Sequence, residues 1–353
     1  MTERTPELFR RFPALARRVP WLPLGAFPTP IERIDIVAPD GRVRPIQVKR
    51  EDLSSGLYGG NKVRKLEFLL AEARRRGARR LITVGAAASH HAFATLAHGR
   101  AAGFESTLVL FPQPLTPHVE DMLRLDLAFG AEIVWASRLQ LVPAALLRAR
   151  LAHWREGAFT IAAGGSDATG TLGWVSGGLE LAAQIESGEA QRPARIHVAA
   201  GTLGTAAGLA WGLALAGLDI PIVATRITSR FITNERVLRR LLGAVANLLA
   251  GAGVQGPPIE RVASRVEIRH AQIGRGYGHE TAAARAAIEV FADAGLRLET
   301  TYTAKAAAEL LADANAGAPP LFIHSFSAVE PPRPHGGPEP PAGVAAYLAH
   351  LRD

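Results

Sequence analysis

Lysine is rare in this chain, and the few lysines it has are grouped. The chain has 353 residues and 40 lysines and arginines, of which only four are lysines. Lys62 and Lys65 both lie in the string GGNKVRK, residues 59–65. An amine that loses its proton can attack a carbonyl carbon, whereas a guanidinium stays protonated at any working pH. The retained lysines therefore predict a Schiff-base lysine, although an arginine-biased composition also leaves a few lysines by chance.

A turn rich in glycine and threonine, AGTLGTAAG at residues 200–208, follows an apolar run and opens a helical segment. Free backbone N–H groups at the positive end of a helix bind anions, so the turn predicts a phosphate site. Close packing of helix on strand is the alternative reason for these glycines. The turn lacks the Gly-Lys-Ser/Thr ending of a Walker motif, and no acidic ribose ligand of a dinucleotide site stands at the expected distance.

Two of the four tyrosines, Tyr277 and Tyr302, lie in loop-like sequence, the first between glycines and the second close to Lys305. An accessible phenol can serve as a proton donor. The alternative is a tyrosine half-buried beside a flexible turn.

Ser89 and the two histidines after it follow another apolar run. No Gly-x-Ser-x-Gly motif supports a hydrolase nucleophile, and Ser89 is also suited to be a helix N-cap. His90 and His91 point in different directions and form no metal pair without further ligands. We predict no metal site.

Composition narrows the classes of protein. The chain is 48% hydrophobic and 20% charged, as is ordinary for a globular enzyme, and it has no cysteine for a disulfide or a thiolate. Its first residues show no secretory pattern, so we expect a cytoplasmic protein.

The apolar stretch 205–223 is interrupted by Asp219 and Pro221, which predicts a helix and a strand and no membrane span. The net charge of +8 is spread along helical segments, which indicates a solvated surface and no nucleic-acid partner.

Short apolar runs alternate with helical segments, which predicts parallel strands joined by crossovers. The runs are residues 81–84, 107–111, 132–135, 159–162, 196–199, 222–225 and 321–324. We therefore predict an α/β fold with two open sheets, one from the middle of the chain and one mostly from its C-terminal half. A cleft between two lobes follows.

Together these motifs resemble the pyridoxal-phosphate enzymes of the tryptophan-synthase-β fold, and within them the group of D-cysteine desulfhydrase and 1-aminocyclopropane-1-carboxylate (ACC) deaminase. The resemblance runs from Pro28 to His324 and is carried by VKREDL (48–53), GGNKVRKLEF (59–68), GGS (164–166), the 201–208 turn, GYG (276–278) and YTAK (302–305). It implies fold type II, with two lobes, mostly parallel sheets and helices on both sheet faces. The implied large domain is residues 1–65 and 176–353 and the small domain is residues 66–175, with the active site between them.

The resemblance also implies how the cofactor, pyridoxal 5'-phosphate, is held. Lys62 would form the Schiff base. Lys65 and the glycine turn would bind the phosphate, with the turn contributing Gly201, Thr202, Leu203, Gly204 and Thr205. Ser325 would face the pyridine nitrogen, where a hydroxyl does not keep the nitrogen protonated as a carboxylate does.

For the substrate, a small amino acid, the resemblance implies that Ser89 lies near the carboxylate and that Tyr277 and Tyr302 are the active-site tyrosines. Two positions depart from the family pattern. His90 replaces an asparagine that contacts the phenolic oxygen of the cofactor, and Phe326 stands where the family has glycine. Thr303 is closer to the desulfhydrase pattern than to the deaminase pattern.

The function expected from this resemblance is a lyase that removes an α-proton and eliminates a β-substituent, as in the conversion of D-cysteine to pyruvate, hydrogen sulfide and ammonia. The alternatives are an ACC-deaminase-like enzyme, a β-replacement enzyme, and a cofactor-binding protein without turnover, the last prompted by His90 and Phe326. The resemblance suggests a homodimer.

Overall fold

The computed structural model describes residues 4–38, 40–313, 317–331 and 338–350. Its ten strands form two sheets. The strands are β1 (Ile31–Val37), β2 (Val43–Lys49), β3 (Arg80–Ala86), β4 (Glu105–Phe111), β5 (Glu132–Trp135), β6 (Ala158–Ile161), β7 (Ile196–Ala200), β8 (Ile222–Arg226), β9 (Val266–Arg269) and β10 (Leu321–Ile323).

Helices connect nearly all of these strands. They are α1 (Glu7–Arg11), α2 (Pro13–Ala16), α3 (Lys62–Arg75), α4 (His90–Ala101), α5 (Pro117–Ala128), α6 (Val142–Ala152), α7 (Ala168–Glu186), α8 (Gly204–Leu215), α9 (Glu235–Gly251), α10 (Ile259–Ala263), α11 (Ala282–Asp293), α12 (Thr303–Ala312) and α13 (Ala342–Ala349). Single 3₁₀ turns occur at Glu51–Leu53, Leu139–Leu141, Trp154–Glu156, Ala163–Gly165 and Ala271–Ile273.

The larger sheet has six strands in the order β1-β2-β10-β7-β8-β9, and only the β1–β2 pair is antiparallel. Successive side chains of a strand face opposite sides of a sheet. Ile196 and Val198 accordingly join a core with α7, α8 and α9, whereas Ala199 joins a core with α11 and α12. Helices therefore cover both faces, as a buried parallel sheet requires.

The smaller sheet has four parallel strands in the order β5-β4-β3-β6. Leu81 and Leu108 pack with α3, α4 and α5, while Ile82 and Val109 face the opposite side and pack with α6. This sheet is covered on both faces as well.

The fold class is confirmed, and each of the seven apolar runs overlaps one strand. The stretch 205–223 forms most of α8 and the start of β8, and no helix in the described residues is long and apolar enough to cross a membrane. All strands of the smaller sheet lie within residues 66–175. Both predicted domain boundaries fall inside helices, α3 and α7, so the division into domains stays a prediction.

The C-terminal ends of the strands position the site. In parallel α/β sheets, ligands bind outside the carboxyl ends of the strands. Strand β3 leads to Ser89, β7 to the glycine turn, β8 to Thr228 and β10 to Ser325, and all four segments line one cavity.

Candidate active site

A cavity of about 500 Å³ lies where the strand ends of the two sheets face each other. Every site residue predicted from the sequence lines it: Lys62, Lys65, Ser89, His90, Gly201, Thr202, Leu203, Gly204, Thr205, Tyr277, Tyr302 and Ser325. The structure thus brings together side chains that are up to 263 positions apart, from Lys62 to Ser325. Their individual roles remain predictions.

Lys62 is the first residue of α3 and points its amine into the cavity. Its Nζ donates a 2.7 Å hydrogen bond to Oδ1 of Asn61, and Nδ2 of Asn61 donates to Oγ1 of Thr205 at 2.9 Å. Burial lowers the pKa of Lys62 to about 8, and the negative charge of Glu299 opposes this shift. The amine therefore loses its proton far more readily than an exposed lysine.

Lys65 lies one turn further along α3 and is 2% exposed. Its Nζ donates to the carbonyl of Gly164 and to Oγ of Ser166, both at 2.9 Å. Burial and the neighbouring Lys62 charge hold the pKa of Lys65 well below its ordinary value, and Asp167 only partly offsets them. A buried amine without a bonded carboxylate is favoured in its charged form when an anion binds beside it.

The N-terminus of α8 faces the same place. Leu203 adopts φ 63°, and this left-handed residue turns the chain from β7 into the helix. Within the described part of the chain, the backbone N–H groups of residues 202–206 donate to no protein acceptor. A Cβ on Gly204 would lie 2.7 Å from Nζ of Lys65 and 2.4 Å from Oγ of Ser166. Glycine therefore keeps open a space bounded by a cation, a hydroxyl and free N–H groups.

The other two lysines serve structural contacts. Lys49 is 1% exposed and donates to Glu180 Oε1 at 2.7 Å, to Gln184 and to the carbonyl of Thr29. Lys305 donates to the carbonyls of Ile273 and Gly276, in the loop that carries Tyr277. The sequence alone predicts neither set of hydrogen bonds.

Ser89 is both the N-cap of α4 and part of the cavity wall. Its Oγ accepts from the N–H of Ala92 at 3.3 Å, and the N–H groups of His90 and His91 donate to no acceptor among the described residues. The N-terminus of this 12-residue helix therefore presents free donors to the cavity beside the Ser89 hydroxyl.

The two histidines do point in different directions. Nδ1 of His90 is 2.6 Å from the Tyr58 hydroxyl, and Nε2 of His91 is 3.0 Å from Oγ1 of Thr83. Burial raises the pKa of Tyr58 and lowers that of His90 to about 3, so a phenol donates to a neutral imidazole. Nε2 of His90 then carries the ring proton. Tyr58 was missed in the sequence because its partner lies 32 residues away.

The two predicted tyrosines form a hydrogen-bonded pair. Tyr302 Oη donates to Tyr277 Oη at 3.0 Å, and the rings meet edge to face with centroids 5.9 Å apart. Burial raises the pKa of Tyr277 to about 12 and raises that of Tyr302 well above its ordinary value. Both phenols therefore keep their protons at neutral pH.

Among the residues that the structure describes, Glu299 is the only carboxylate in the cavity wall, and no motif of the sequence predicted it. Its carboxylate accepts from the backbone N–H groups of Thr301, Tyr302 and Thr303 at 2.6 to 2.8 Å. It thereby caps the start of α12, where a negative charge is stabilised by the helix dipole, and fixes the backbone of Tyr302.

Ser325 and Phe326 form the wall after β10. The backbone N–H of Asn61 donates to the carbonyl of Ser325 at 3.2 Å. A Cβ on Gly60 would lie 2.7 Å from that carbonyl, so the close approach of the backbones depends on Gly60. The Phe326 ring packs against His90, with centroids 4.9 Å apart, and beneath the Arg297 guanidinium.

Comparison with known proteins identifies the family to which the chain belongs. The family model of pyridoxal-phosphate-dependent enzymes matches residues 22–325. The chain is 32% identical to D-cysteine desulfhydrase of Salmonella paratyphi B, over 88% of this chain and 95% of the relative. The chain is a pyridoxal-phosphate-dependent enzyme of the D-cysteine desulfhydrase and ACC deaminase family.

Two further relatives of this pyridoxal-phosphate enzyme cover nearly its whole length. It is 34% identical to nocardicin C-9' epimerase of Nocardia uniformis subsp. tsuyamanensis, over 92% of this chain and 97% of the relative. The crystal structure of an ACC deaminase homologue superposes with a TM-score of 0.73 at 30% identity, covering 92% of this chain and 95% of that one.

The residues around Lys65 fit the phosphate of this cofactor. Phosphate oxygens require N–H donors, a positive charge and space close to the backbone. Lys65, the free N–H groups of residues 202–206 and the space kept by Gly204 meet these requirements at one point of the cavity.

Proposed function

We propose that this enzyme is a lyase that acts on a small amino acid by removing an α-proton and eliminating a β-substituent, as D-cysteine desulfhydrase does. One observation carries the proposal. A lysine amine with a pKa near 8 and a pair of protonated phenols line the same cavity, as a base and an acid for the two proton transfers of an elimination.

Lys62 would bind the cofactor covalently, and Lys65 with the N-terminus of α8 would hold its phosphate. When bound, pyridoxal phosphate withdraws electrons from the α-carbon of the substrate and so makes the α-proton removable. Ser325 would face the pyridine nitrogen, and Nε2 of His90 would donate to the phenolic oxygen.

The substrate carboxylate would bind at the N-terminus of α4. There the Ser89 hydroxyl and the free N–H groups of His90 and His91 are the donors. This contact would orient the α-carbon toward Lys62, whose neutral amine removes the α-proton. A carboxylate at a helix N-terminus also gains from the helix dipole.

Tyr302 would protonate the leaving group as it departs. Its proton is retained at neutral pH, and Tyr277 accepts the Tyr302 hydrogen bond and thereby orients the donor. For D-cysteine the group that leaves is sulfide, and the remaining products are pyruvate and ammonia.

Epimerisation is the second candidate, and the 34% identity to an epimerase favours it. An epimerase also removes the α-proton but returns a proton to the other face of the carbon. The base would again be Lys62. The two reactions differ in whether a β-substituent is lost.

The test incubates the purified enzyme with D- and L-cysteine and, separately, with D- and L-alanine in deuterium oxide. The proposal expects sulfide and pyruvate in equal amounts from a cysteine. It also expects that Tyr302→Phe lowers this release by roughly 10² to 10⁴ while α-deuterium exchange into alanine persists. Exchange with inversion and no sulfide would establish the epimerase instead. Neither product nor exchange would leave a cofactor-binding protein without turnover.

We also infer a cytoplasmic homodimer. The absence of cysteine is compatible with a reducing compartment. Exposed apolar side chains near α6 support self-association, and they are Leu139, Leu141, Leu147, Leu151 and Trp154. Light scattering should give twice the chain mass of 37.5 kDa, and Leu147→Glu with Leu151→Glu should lower it.

A further inference from the structure

The charges of the cavity wall are unbalanced even after the proposed cofactor and substrate groups are assigned. Among the described residues, Lys62, Lys65, Arg226 and Arg275 are the basic groups that line the cavity, against one carboxylate, Glu299, which caps α12. The covalent bond to the cofactor accounts for Lys62, and the phosphate accounts for Lys65. Arg226 and Arg275 are left without an anion.

Arg226 is a buried and oriented side chain. It ends β8 and is 6% exposed. Its Nε donates to Nδ1 of His270 at 2.8 Å and its Nη1 to the carbonyl of Thr228 at 2.8 Å. Both partners are uncharged acceptors, and no carboxylate in the described residues pairs with this guanidinium. Burying an unpaired charge is costly, so a site that retains one needs an anionic partner to offset the cost.

Arg226 lies apart from the proposed phosphate site, which is formed by Lys65 and the N-terminus of α8. The position of a Cβ on Gly201 is 3.3 Å from Cε1 of Tyr302 and 3.7 Å from Cγ2 of Thr228, the residue whose carbonyl binds Arg226. Arg226 thus lies on the Tyr302 side of the glycine turn. Lys65 lies on the other side, with Gly164 and Ser166.

The mouth of the cavity extends this positive region. Thr228, Ser229 and Ile232 line the cavity together with the loop 273–276, which carries the exposed Arg275. The exposed Arg230 adds a third positive charge nearby, and burial together with this charge lowers the pKa of Arg226. Among the described residues, neither Arg230 nor Arg275 forms an ion pair.

We propose that Arg226, with Arg275, binds an anionic group at the end of the substrate side chain, so that the enzyme selects an amino acid with a carboxylate or phosphate on that side chain. The proposal rests on the proposed function, because it names the substrate class of the same site. The α-carboxylate lies at α4, the reacting carbon lies at Lys62, and the side chain passes the two tyrosines to Arg226. Guanidinium binds carboxylate and phosphate oxygens in bidentate geometry.

The test measures binding of amino acids that carry no β-leaving group to the holoenzyme by titration calorimetry. Aspartate is compared with asparagine, glutamate with glutamine, and 2-amino-3-phosphonopropanoate with both neutral amides, each as D- and L-enantiomers. We expect one acidic ligand to bind at least tenfold more tightly than its neutral counterpart. Whether a carboxylate or the phosphonate gives the larger ratio identifies the anion.

Arg226→Gln should reduce that ratio to near one and leave the cofactor content unchanged. Arg275→Gln alters an exposed side chain, so it tests the same ratio without a risk to folding. Arg261→Gln, an exposed arginine in α10 far from the cavity wall, removes the same charge and should leave the ratio intact.

Equal binding of acidic and neutral ligands by the native holoenzyme would overturn the proposal. So would loss of cofactor from Arg226→Gln with an unchanged ratio, which would assign Arg226 to the cofactor phosphate. Tight binding of an acidic ligand by an enzyme that releases no sulfide from cysteine would support this proposal and reject cysteine as the substrate of the proposed lyase.

Discussion

At the scale of single residues, the lysines show how burial assigns different chemistry to one residue type. Lys62 and Lys65 are three positions apart on one helix and face one cavity. Asn61 orients the first amine, whereas Gly164 and Ser166 fix the second beside free N–H groups. The first is thereby suited to react with a carbonyl and the second to bind an anion.

The lowered pKa of Lys62 predicts how the apoenzyme takes up its cofactor. Only the neutral amine attacks the aldehyde, and with a pKa near 8 about a tenth of the amine is neutral at pH 7. An ordinary lysine with a pKa of 10.5 has roughly one part in 3,000 neutral at that pH. We expect the rate of covalent cofactor binding to rise with pH and to level off above about pH 8, measured by visible absorbance between pH 6 and 10.

The matched control for this rate is Nα-acetyllysine in free solution. Its reaction with the same aldehyde should still be accelerating at pH 10, because its amine is still losing protons there. Changes in the cofactor itself affect both reactions alike. An enzyme rate that parallels the free amine up to pH 10 would show that burial does not lower the pKa of Lys62.

At the scale of elements, the site is made from helix starts. The N-termini of α4 and α8 present free donors, and the N-terminus of α12 is closed by Glu299. A helix start binds an anion only if no side chain occupies the space in front of it. Gly204 keeps that space open at α8.

We expect Gly204→Ala to weaken binding of pyridoxal phosphate by tenfold or more with little change in stability. The added Cβ would lie 2.7 Å from Nζ of Lys65 and 2.4 and 2.9 Å from Oγ and Cβ of Ser166, so both residues would have to leave their places around the proposed phosphate site. Equilibrium dialysis of cofactor gives the affinity, and thermal melting of the apoenzyme gives the stability. Gly243→Ala is the matched control, since its Cβ on α9 would meet only Ile259, at 3.7 Å. Gly243→Ala should retain full affinity for pyridoxal phosphate. A Gly204→Ala protein that also retains it would contradict the proposal that the cofactor phosphate binds between Gly204 and Lys65.

The strands that the sequence predicted are those with continuous apolar runs. Such runs occur where a strand is buried on both faces, as in β3, β4 and β7. Strands β1, β2 and β9 were not predicted. β1 is an edge strand with one buried side chain, β2 contains Pro45, and β9 is a four-residue edge strand. Their apolar signal is weak because charged or polar residues interrupt the apolar ones in all three strands.

Only those residues of the site that belong to short sequence motifs could be predicted. The strings around Lys62, Tyr277 and the glycine turn named residues that share the cavity. Arg226 and Glu299 were missed, because their importance comes from what surrounds them after folding. For the same reason, the sequence could not distinguish Lys49 and Lys305 from the two lysines of the cavity.

At the scale of the whole molecule, helix α3 connects the two sheets and carries both cavity lysines. Its Leu66 and Leu69 join the core of the smaller sheet, while Phe68 joins the core beneath the larger one. A buried ion cluster fixes this helix to the larger sheet. Arg64 on α3 pairs with Glu51 and with Glu180 on α7, and Glu180 also pairs with Lys49 on β2.

Because of this cluster, we expect the free energy of unfolding to depend on pH, and we expect Glu180→Gln to reduce that dependence. Burial opposes ionisation of Glu180, but Arg64 and Lys49 outweigh it and lower the pKa of Glu180 to about 2. A carboxylate whose pKa is depressed on folding stabilises the protein above its ordinary pKa of 4.5, and that contribution is lost as the pH falls through 2. Glu180→Gln leaves Lys49 buried without a carboxylate and should destabilise the protein at pH 7 by about 3 to 5 kcal/mol.

The difference between the native protein and Glu180→Gln should therefore narrow between pH 7 and pH 3.5. At pH 3.5 the Glu180 carboxyl of the unfolded chain is mostly protonated while that of the folded protein is still ionised, so the charge contributes less to stability. Urea unfolding followed by circular dichroism at the two pH values measures it. Glu186→Gln is the control on the same helix, because Glu186 pairs with Arg11 at the surface and exposed pairs contribute less than about 1 kcal/mol. If Glu180→Gln and Glu186→Gln unfold at the same urea concentration, the buried cluster does not hold α3 in place, and the position of the cavity lysines must depend on the apolar cores alone.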